Sequence, residues 1–551
     1  MASSHDSVAG SVPPVSQDAA REGEAAETGH LRPNVLPWYG LLIACAACVA
    51  PMAALFFNVP GMAAQAGAAT PLVFVIGTVG LLLLTQPMAY FARRLTSTAS
   101  FATWVGEGLG RPTGVLAGWL MFGAYALFEA ASQAAFGGLT DLNLSSFFGI
   151  HAPGGWVTYS IVSVLLVWLL AYFDVQWSVW VMAPFALVEM ASLLLLDGVI
   201  TLHGGASGND LVHPFTLAGA SLKGVAPGGF LGIGVALALA FFSFIGFESA
   251  GGYGEEARHP RRAIPLAMGS VAVLMSVLYI WTAYSATIGL GWTHAVDTLG
   301  NITIAPEPYY QLARMYVGSW LTVLMSVLVT TSTFASCIAF HQVAARYLYA
   351  LSRDGVFPAQ FGLGQTHPRW RSPWVASTVQ TGLTLVLLVF LAFVMQKTNA
   401  DGTTSYALGI ADGKVYTPTG GIGTYQWLAI VGTITLILVY LLTNLAAPRY
   451  ALRQHEFRWF THVVAPVLSS LVLLIPLASL IVPPLPGIGI VFTHLGFAPT
   501  PFPLNILPLC VLAWSLTGGI VALVHVQRHR EPSQPMEQPG QWRQPVPEEE
   551  A

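Results

Sequence analysis

The sequence predicts an all-α polytopic membrane protein, and three observations carry that prediction. Hydrophobic residues make up 54% of the 551 residues and charged ones only 9%, a balance far from that of soluble domains. Apolar runs of about 20 residues, each long enough to cross a bilayer, recur as twelve candidate spans near 38–64, 71–92, 113–139, 156–175, 177–202, 228–254, 264–290, 318–349, 373–396, 422–447, 462–482 and 503–527. With the N-terminus inside, only Lys223, Arg314, Lys397 and Lys414 of the 22 basic residues fall outside. Basic residues concentrate on cytoplasmic loops, so both termini are expected inside a plasma membrane. The first apolar run starts too late for a cleavable signal and reads as a true span.

In the first span, Ala50-Pro51-Met52-Ala53-Ala54 interrupts the helix in mid-membrane, and Pro60-Gly61 follows near its outer end. Pro51 has no amide proton and clashes with the preceding turn, which frees backbone groups. The sixth span comes apart at Ile245-Gly246, next to Glu248, and runs through Gly251-Gly252 into a charged turn that ends at Pro265. Unsatisfied backbone is tolerated at membrane depth only where it lines a cavity or packs on protein. Breaks five spans apart, one running in-to-out and the other out-to-in, fit two inverted repeats of five helices with a shared site near the midplane. Two further helices then close the membrane domain. Kinks without function, common in membrane helices, are the plain alternative.

Four acids lie within spans: Glu129, Glu189, Asp197 and Glu248. A carboxylate at the bilayer centre costs about 2.5–3.5 kcal/mol on insertion scales, so each is a candidate functional group. Glu189, in the middle of the fifth span, is the leading candidate for proton coupling, or else a protonated or amide-bonded carboxyl that locks helix packing; Glu129 is a further coupling candidate, and Glu248, directly after the break, either anchors freed amides or senses protons. Glu129 shares a helix face with Tyr125 and Gln133 at i−4 and i+4, a polar stripe expected either to face the central cavity or to form a buried hydrogen-bond network between helices. Asp197, near the outer end of its span, is expected to be solvated. Thr330, Thr331, Ser332, Thr333 and Ser336 offer oxygens for a cation, although such hydroxyls usually bond their own helix. His341 is a possible proton relay or a packing histidine. No lysine lies in any span, so none can neutralise these acids.

The chain reads as a polar N-terminal tail (1–33), a membrane domain (34–528) and a Pro-, Gln- and Glu-rich C-terminal tail (529–551), both tails disordered. The repeats cover about 38–202 and 228–447, and the extra helices about 462–527. The outer segment 397–421 either forms a small hairpin or stays irregular. Cys45 and Cys48 form a C-x-x-C spacing inside an apolar helix and read as packing residues. Scattered basic residues give no nucleic-acid patch. No metal-ligand or nucleophile spacing is visible, so neither cofactor nor enzymatic activity is expected.

Phe244-Ile245-Gly246-Phe247-Glu248-Ser249 followed by Tyr253-Gly254-Glu255-Glu256-Ala257-Arg258-His259-Pro260 resembles the signature after the sixth helix in amino acid permeases of the amino acid–polyamine–organocation superfamily. A second stretch, Ala345-Arg346-Tyr347-Leu348-Tyr349-Ala350-Leu351-Ser352-Arg353-Asp354-Gly355-Val356-Phe357-Pro358, is similar to that family's loop after helix 8. The resemblance implies a leucine-transporter-like fold, with broken helices 1 and 6, a 5+5 inverted repeat and two C-terminal helices. It also implies alternating access around a small-molecule site. There the substrate carboxylate would meet amides of Met52, Ala53 and Ala54 beside Pro51. The ammonium would meet carbonyls near Phe242, Ser243, Ile245 and Gly246, with Phe242 covering the substrate and Tyr125 within reach. Helix N-terminal ends attract anions and C-terminal ends cations. One departure stands out: the family's Gly-x-Gly turn is Met52-Ala53-Ala54 here.

These readings lead to one expectation, secondary active transport of an amino acid by proton symport. Exchange of amino acids, polyamines or organic amines is the runner-up within the class. A membrane receptor or sensor built on a transporter fold is the rival from another class. The expected partners are a small-molecule amino acid or amine, protons and the lipid bilayer.

Overall fold

Helices form where the apolar runs lie, because in a lipid-like interior only a helix satisfies its own amides. The computed structural model describes residues 30–150, 152–173, 175–221, 229–294, 297–300, 306–394, 396–398, 404–406, 410–411, 414–415, 420–481 and 507–528. Most of the two predicted tails therefore lies outside the described residues. Leu31, at the start of the described chain, is buried.

The first span is two helices, α1 (Trp38–Val49) and α2 (Pro51–Ala66), separated by Ala50. Next come α3 (Thr70–Ala92), α4 (Ser100–Leu109), α5 (Arg111–Phe148), α6 (Trp156–Tyr172) and α7 (Val175–Leu202). The sixth span begins as α8 (Gly229–Phe244), breaks, and continues as a 3₁₀ turn at Ser249–Tyr253. After it run α9 (Pro260–Leu290), α10 (Glu307–Tyr316), α11 (Ser319–Arg353), α12 (Trp374–Val394), α13 (Gly420–Arg453), α14 (Ala465–Ile481) and α15 (Leu507–Arg528). Ten helical stretches among the described residues are long and apolar enough to cross a membrane. The first, Trp38–Ala92, takes in α1, α2 and α3, and the 17-residue α6 is a shorter apolar helix. The protein is thus a multi-pass membrane protein. Two elements escaped the sequence reading: α4, which buries Phe101, Trp104 and Val105, and α10, which buries Tyr309, Tyr310 and Leu312.

In the predicted outer segment, β1 (Gln396–Thr398) pairs antiparallel with β2 (Thr404–Tyr406), and β3 (Ile410–Ala411) pairs with β4 (Lys414–Val415). The hairpin alternative therefore holds for the part that is described.

Helix α5 is the axis of the molecule and packs along α11 and α13, with α4, α6 and α15 around it. Half-helix α2 runs against α8, and small residues permit the approach: a Cβ on Gly232 would sit 2.0 Å from the Gln65 carbonyl oxygen. Burial ranks the spans. The most apolar 18-residue windows of Trp38–Ala92 and Gly232–Tyr253 are 89% buried, against 22% for Pro508–Arg528. Both interrupted spans are therefore innermost, as the pairing of their exposed peptide groups requires. Large apolar side chains such as Leu187, Val277 and Val386 stay exposed on the outside, where lipid would cover them.

Candidate functional site

The break in the first span is a single residue. Ala50 takes a left-handed conformation (φ 48°), its N–H closes α1 on Ala46, and Pro51 opens α2 at the position where a missing amide proton costs nothing. The chain thus makes the turn without the family's glycines, using alanine at a strained angle. In the sixth span, Gly246 has φ 113°, and a Cβ there would lie 2.8 Å from both Cys48 Cβ and the Val49 nitrogen. Only glycine fits, so the two breaks are in direct contact.

Between them lies a small cavity, bounded by Val49, Ala50, Ala53 and Ala54 from one break and Phe242 and Ile245 from the other. Ser132, Thr333, Ser336 and Phe340 close it from α5 and α11, and Asn58 and Tyr425 from α2 and α13. Phe242 packs 5.5 Å from the Phe128 ring and 5.5 Å from Tyr425, so one wall is aromatic. Asn58 ties this wall together, donating to Ser243 Oγ at 2.9 Å and accepting from the Tyr425 hydroxyl at 3.3 Å. Asn58 and Tyr425 were missed in the sequence. A lone asparagine seven residues beyond Pro51 in an apolar span was the available signal.

Several expected contacts fall elsewhere. The Met52 amide, expected to face a substrate carboxylate, donates to Glu189 Oε1 at 2.5 Å, and Ser332 Oγ donates to the same oxygen at 2.8 Å. The amide of Ala54 is satisfied by the Ala50 carbonyl, and that of Ala53 points at Ser332 Oγ at 3.5 Å. The Ser243 carbonyl accepts the Tyr279 hydroxyl, and that of Phe242 accepts the Ile245 amide. Tyr125 does not line the cavity; its hydroxyl donates to Glu248 Oε1 at 2.7 Å. Glu248 also accepts the Gly246 amide at 3.1 Å, so its carboxylate holds the backbone that the break sets free.

Glu129 also lies off the cavity. Its carboxylate faces α11 and α12, where His341 Nδ1 is 2.9 Å away and Gln380 Nε2 donates at 2.7 Å. The other ring nitrogen of His341 meets Ser377 Oγ at 2.7 Å. Of the two readings of the stripe, the buried network between helices is the one observed, and it is divided in two because Tyr125 and Glu129 reach different neighbours. Ser377, Gln380, Thr381 and Thr384 form a polar face on the ninth span that the sequence reading passed over.

Asp197 is buried rather than solvated and accepts from Thr282 Oγ1 at 2.5 Å. Thr330, Thr331, Thr333 and Ser336 each donate to a carbonyl of their own helix, as hydroxyls in membrane helices usually do. Ser332 alone in that group turns outward, to Glu189. Cys45 and Cys48 are buried and unpaired.

The two motifs that carried the resemblance meet in space. Arg346 clasps Glu256 through two bonds of 2.7 and 2.8 Å, and Arg353 pairs with Glu255 at 2.9 Å. A family model described as amino acid permease matches residues 40–483. The chain belongs to the amino acid permease family. Cationic amino acid transporter 4 of Homo sapiens is 27% identical over 343 residues, covering 60% of this chain and 50% of that protein. The vacuolar cationic amino acid transporter 4 of Arabidopsis thaliana is 26% identical over 60% of this chain and 54% of its own length. The low-affinity putrescine importer PlaP of Escherichia coli K12 is 28% identical over 155 residues, 28% of this chain and 32% of its own. This family member thus spans about half the length of the curated cationic amino acid transporters it matches.

Proposed function

We propose that the protein is a secondary transporter that moves an amino acid or a related organic amine across the plasma membrane by alternating access. The contact of the two breaks beside a small cavity with polar and aromatic lining residues carries this reading, since broken helices meeting near mid-span are where such carriers hold their cargo. Twelve crossings follow if Trp38–Ala92 is taken as two and α6 as one more. Both termini then lie in the cytoplasm, with the repeats and tails bounded as the sequence suggests.

Proton symport is the favoured coupling. Three buried carboxylates, Glu189, Glu129 and Glu248, are each hydrogen-bonded to an element of a different part of the fold. A group joining two elements can take up a proton in one arrangement and lose it in another. Glu189 links α7 to both α2 and α11, which makes it the strongest candidate. His341 serves Glu129 as a relay in this scheme, and Ser336 lines the path taken by the cargo. Exchange of two amines is the second reading; the similarity to a putrescine importer supports an amine as cargo. Uptake of labelled amino acids and amines into proteoliposomes, with and without an imposed pH gradient, tests both. Accumulation that follows the gradient supports symport; movement only against a preloaded amine supports exchange.

A further inference from the structure

We infer that the cargo of this site is an amine without an α-carboxylate, because the seat for a carboxylate is filled by the protein's own Glu189. This inference rests on the transport reading above and narrows its substrate class. Anions bind at helix N-termini through the first-turn amides and the positive end of the helix dipole. At the start of α2 those amides are accounted for. Pro51 has none, Met52 donates to Glu189 Oε1 at 2.5 Å, and Ala54 donates to the Ala50 carbonyl at 2.9 Å. Ala53 keeps only a 3.5 Å approach to Ser332 Oγ, which is itself turned to Glu189.

A second carboxylate entering here would meet a carboxylate already in place. Among the described residues no arginine or lysine lines the space to offset the repulsion. Glu189 has no hydrogen bond or ion pair to a basic side chain among the described residues, and it stands behind the cavity lining, bonded to Met52 and Ser332. The other wall suits an ammonium group. Phe242, Phe340 and Tyr425 line the cavity, and aromatic rings attract cations through their faces. Ser332 and Glu189 together thus do for the helix end what the carboxyl group of an amino acid would do.

Matched pairs test the proposal on the full-length purified protein: ornithine against putrescine, leucine against 3-methylbutylamine, phenylalanine against phenethylamine. Binding is read by ligand-induced thermal stabilisation, followed by uptake in proteoliposomes. The expected result is that at least one amine binds about tenfold or more tightly than its parent amino acid, the scale of discrimination that one misplaced polar group imposes. In Glu189→Gln the gap should shrink, because a neutral amide no longer repels the anion. The wild-type comparison stands without that variant if it fails to fold. If in every pair the amino acid binds as tightly as its amine, at neutral or mildly acidic pH, the inference is overturned: Glu189 then yields its place to the cargo. That outcome leaves the transport reading intact. Tight amine binding without any uptake supports the site and removes transport, and binding of neither class overturns both.

Discussion

At the scale of single residues, Glu189 decides the most. Its carboxylate caps α2, bonds α11 and stands on α7, so its charge state is tied to how three helices sit together. Glu189→Gln keeps an acceptor for the Met52 amide and removes the ionisable proton. The expected phenotype is loss of gradient-driven accumulation with exchange retained; accumulation at the wild-type level would remove Glu189 from coupling. Phe242 is the second test. Trimming it to alanine takes away one ring of the aromatic wall, and affinity for the cargo should fall by about tenfold, the scale of a desolvated cation–ring contact. Equal affinity in an equilibrium binding assay would place the cargo elsewhere. Both residues were legible in the sequence as a buried acid and an aromatic beside a break. The partner of each was not, since 137 positions separate Met52 from Glu189 and local pattern carries no information about such a pairing.

At the scale of elements, the interrupted spans were legible because Pro51 and Gly246 disturb helices that are otherwise strongly apolar. The first turn lacks the family's glycines. Ala50 makes the turn with a left-handed backbone, a strain of about 1–2 kcal/mol that the packed surroundings hold in place. Gly246 has no such latitude. Gly246→Ala would drive a methyl group into Cys48 and Val49 and force an unfavourable φ, a combined cost of about 2 kcal/mol or more. A lower unfolding temperature and loss of uptake are expected; wild-type stability would mean that the breaks do not touch. Helices α4 and α10 were missed for a plain reason. At 10 residues each they are too short to register as spans, and their burial comes from tertiary packing.

At the scale of the whole molecule, the pairing of the two motifs fastens one end of the fold. Arg346 on α11 and Glu256 in the turn after the sixth span are both buried, and Tyr253 lies 4.5 Å beneath the guanidinium. Removing one partner of such a pair leaves a buried charge uncompensated, which costs about 3–5 kcal/mol. Arg346→Ala should therefore lower stability markedly, and the double variant Arg346→Met with Glu256→Leu should recover much of it. Chemical or thermal unfolding of the three proteins checks this, and equal stability of all three would show that the pair fastens nothing. Family membership was legible here because both motifs are contiguous in sequence. The shape of the cavity was not, because α2, α5, α8, α11 and α13 each give it only one or a few residues.

In the proposed function, two broken helices hold a moving cargo between them. Uptake of labelled amines and amino acids into proteoliposomes, acidic outside and alkaline within, tests it most directly. The account predicts that at least one amine accumulates above its external concentration and that a protonophore collapses the accumulation. If the folded protein in those vesicles moves none of these compounds, in either direction and with or without the gradient, the account is contradicted.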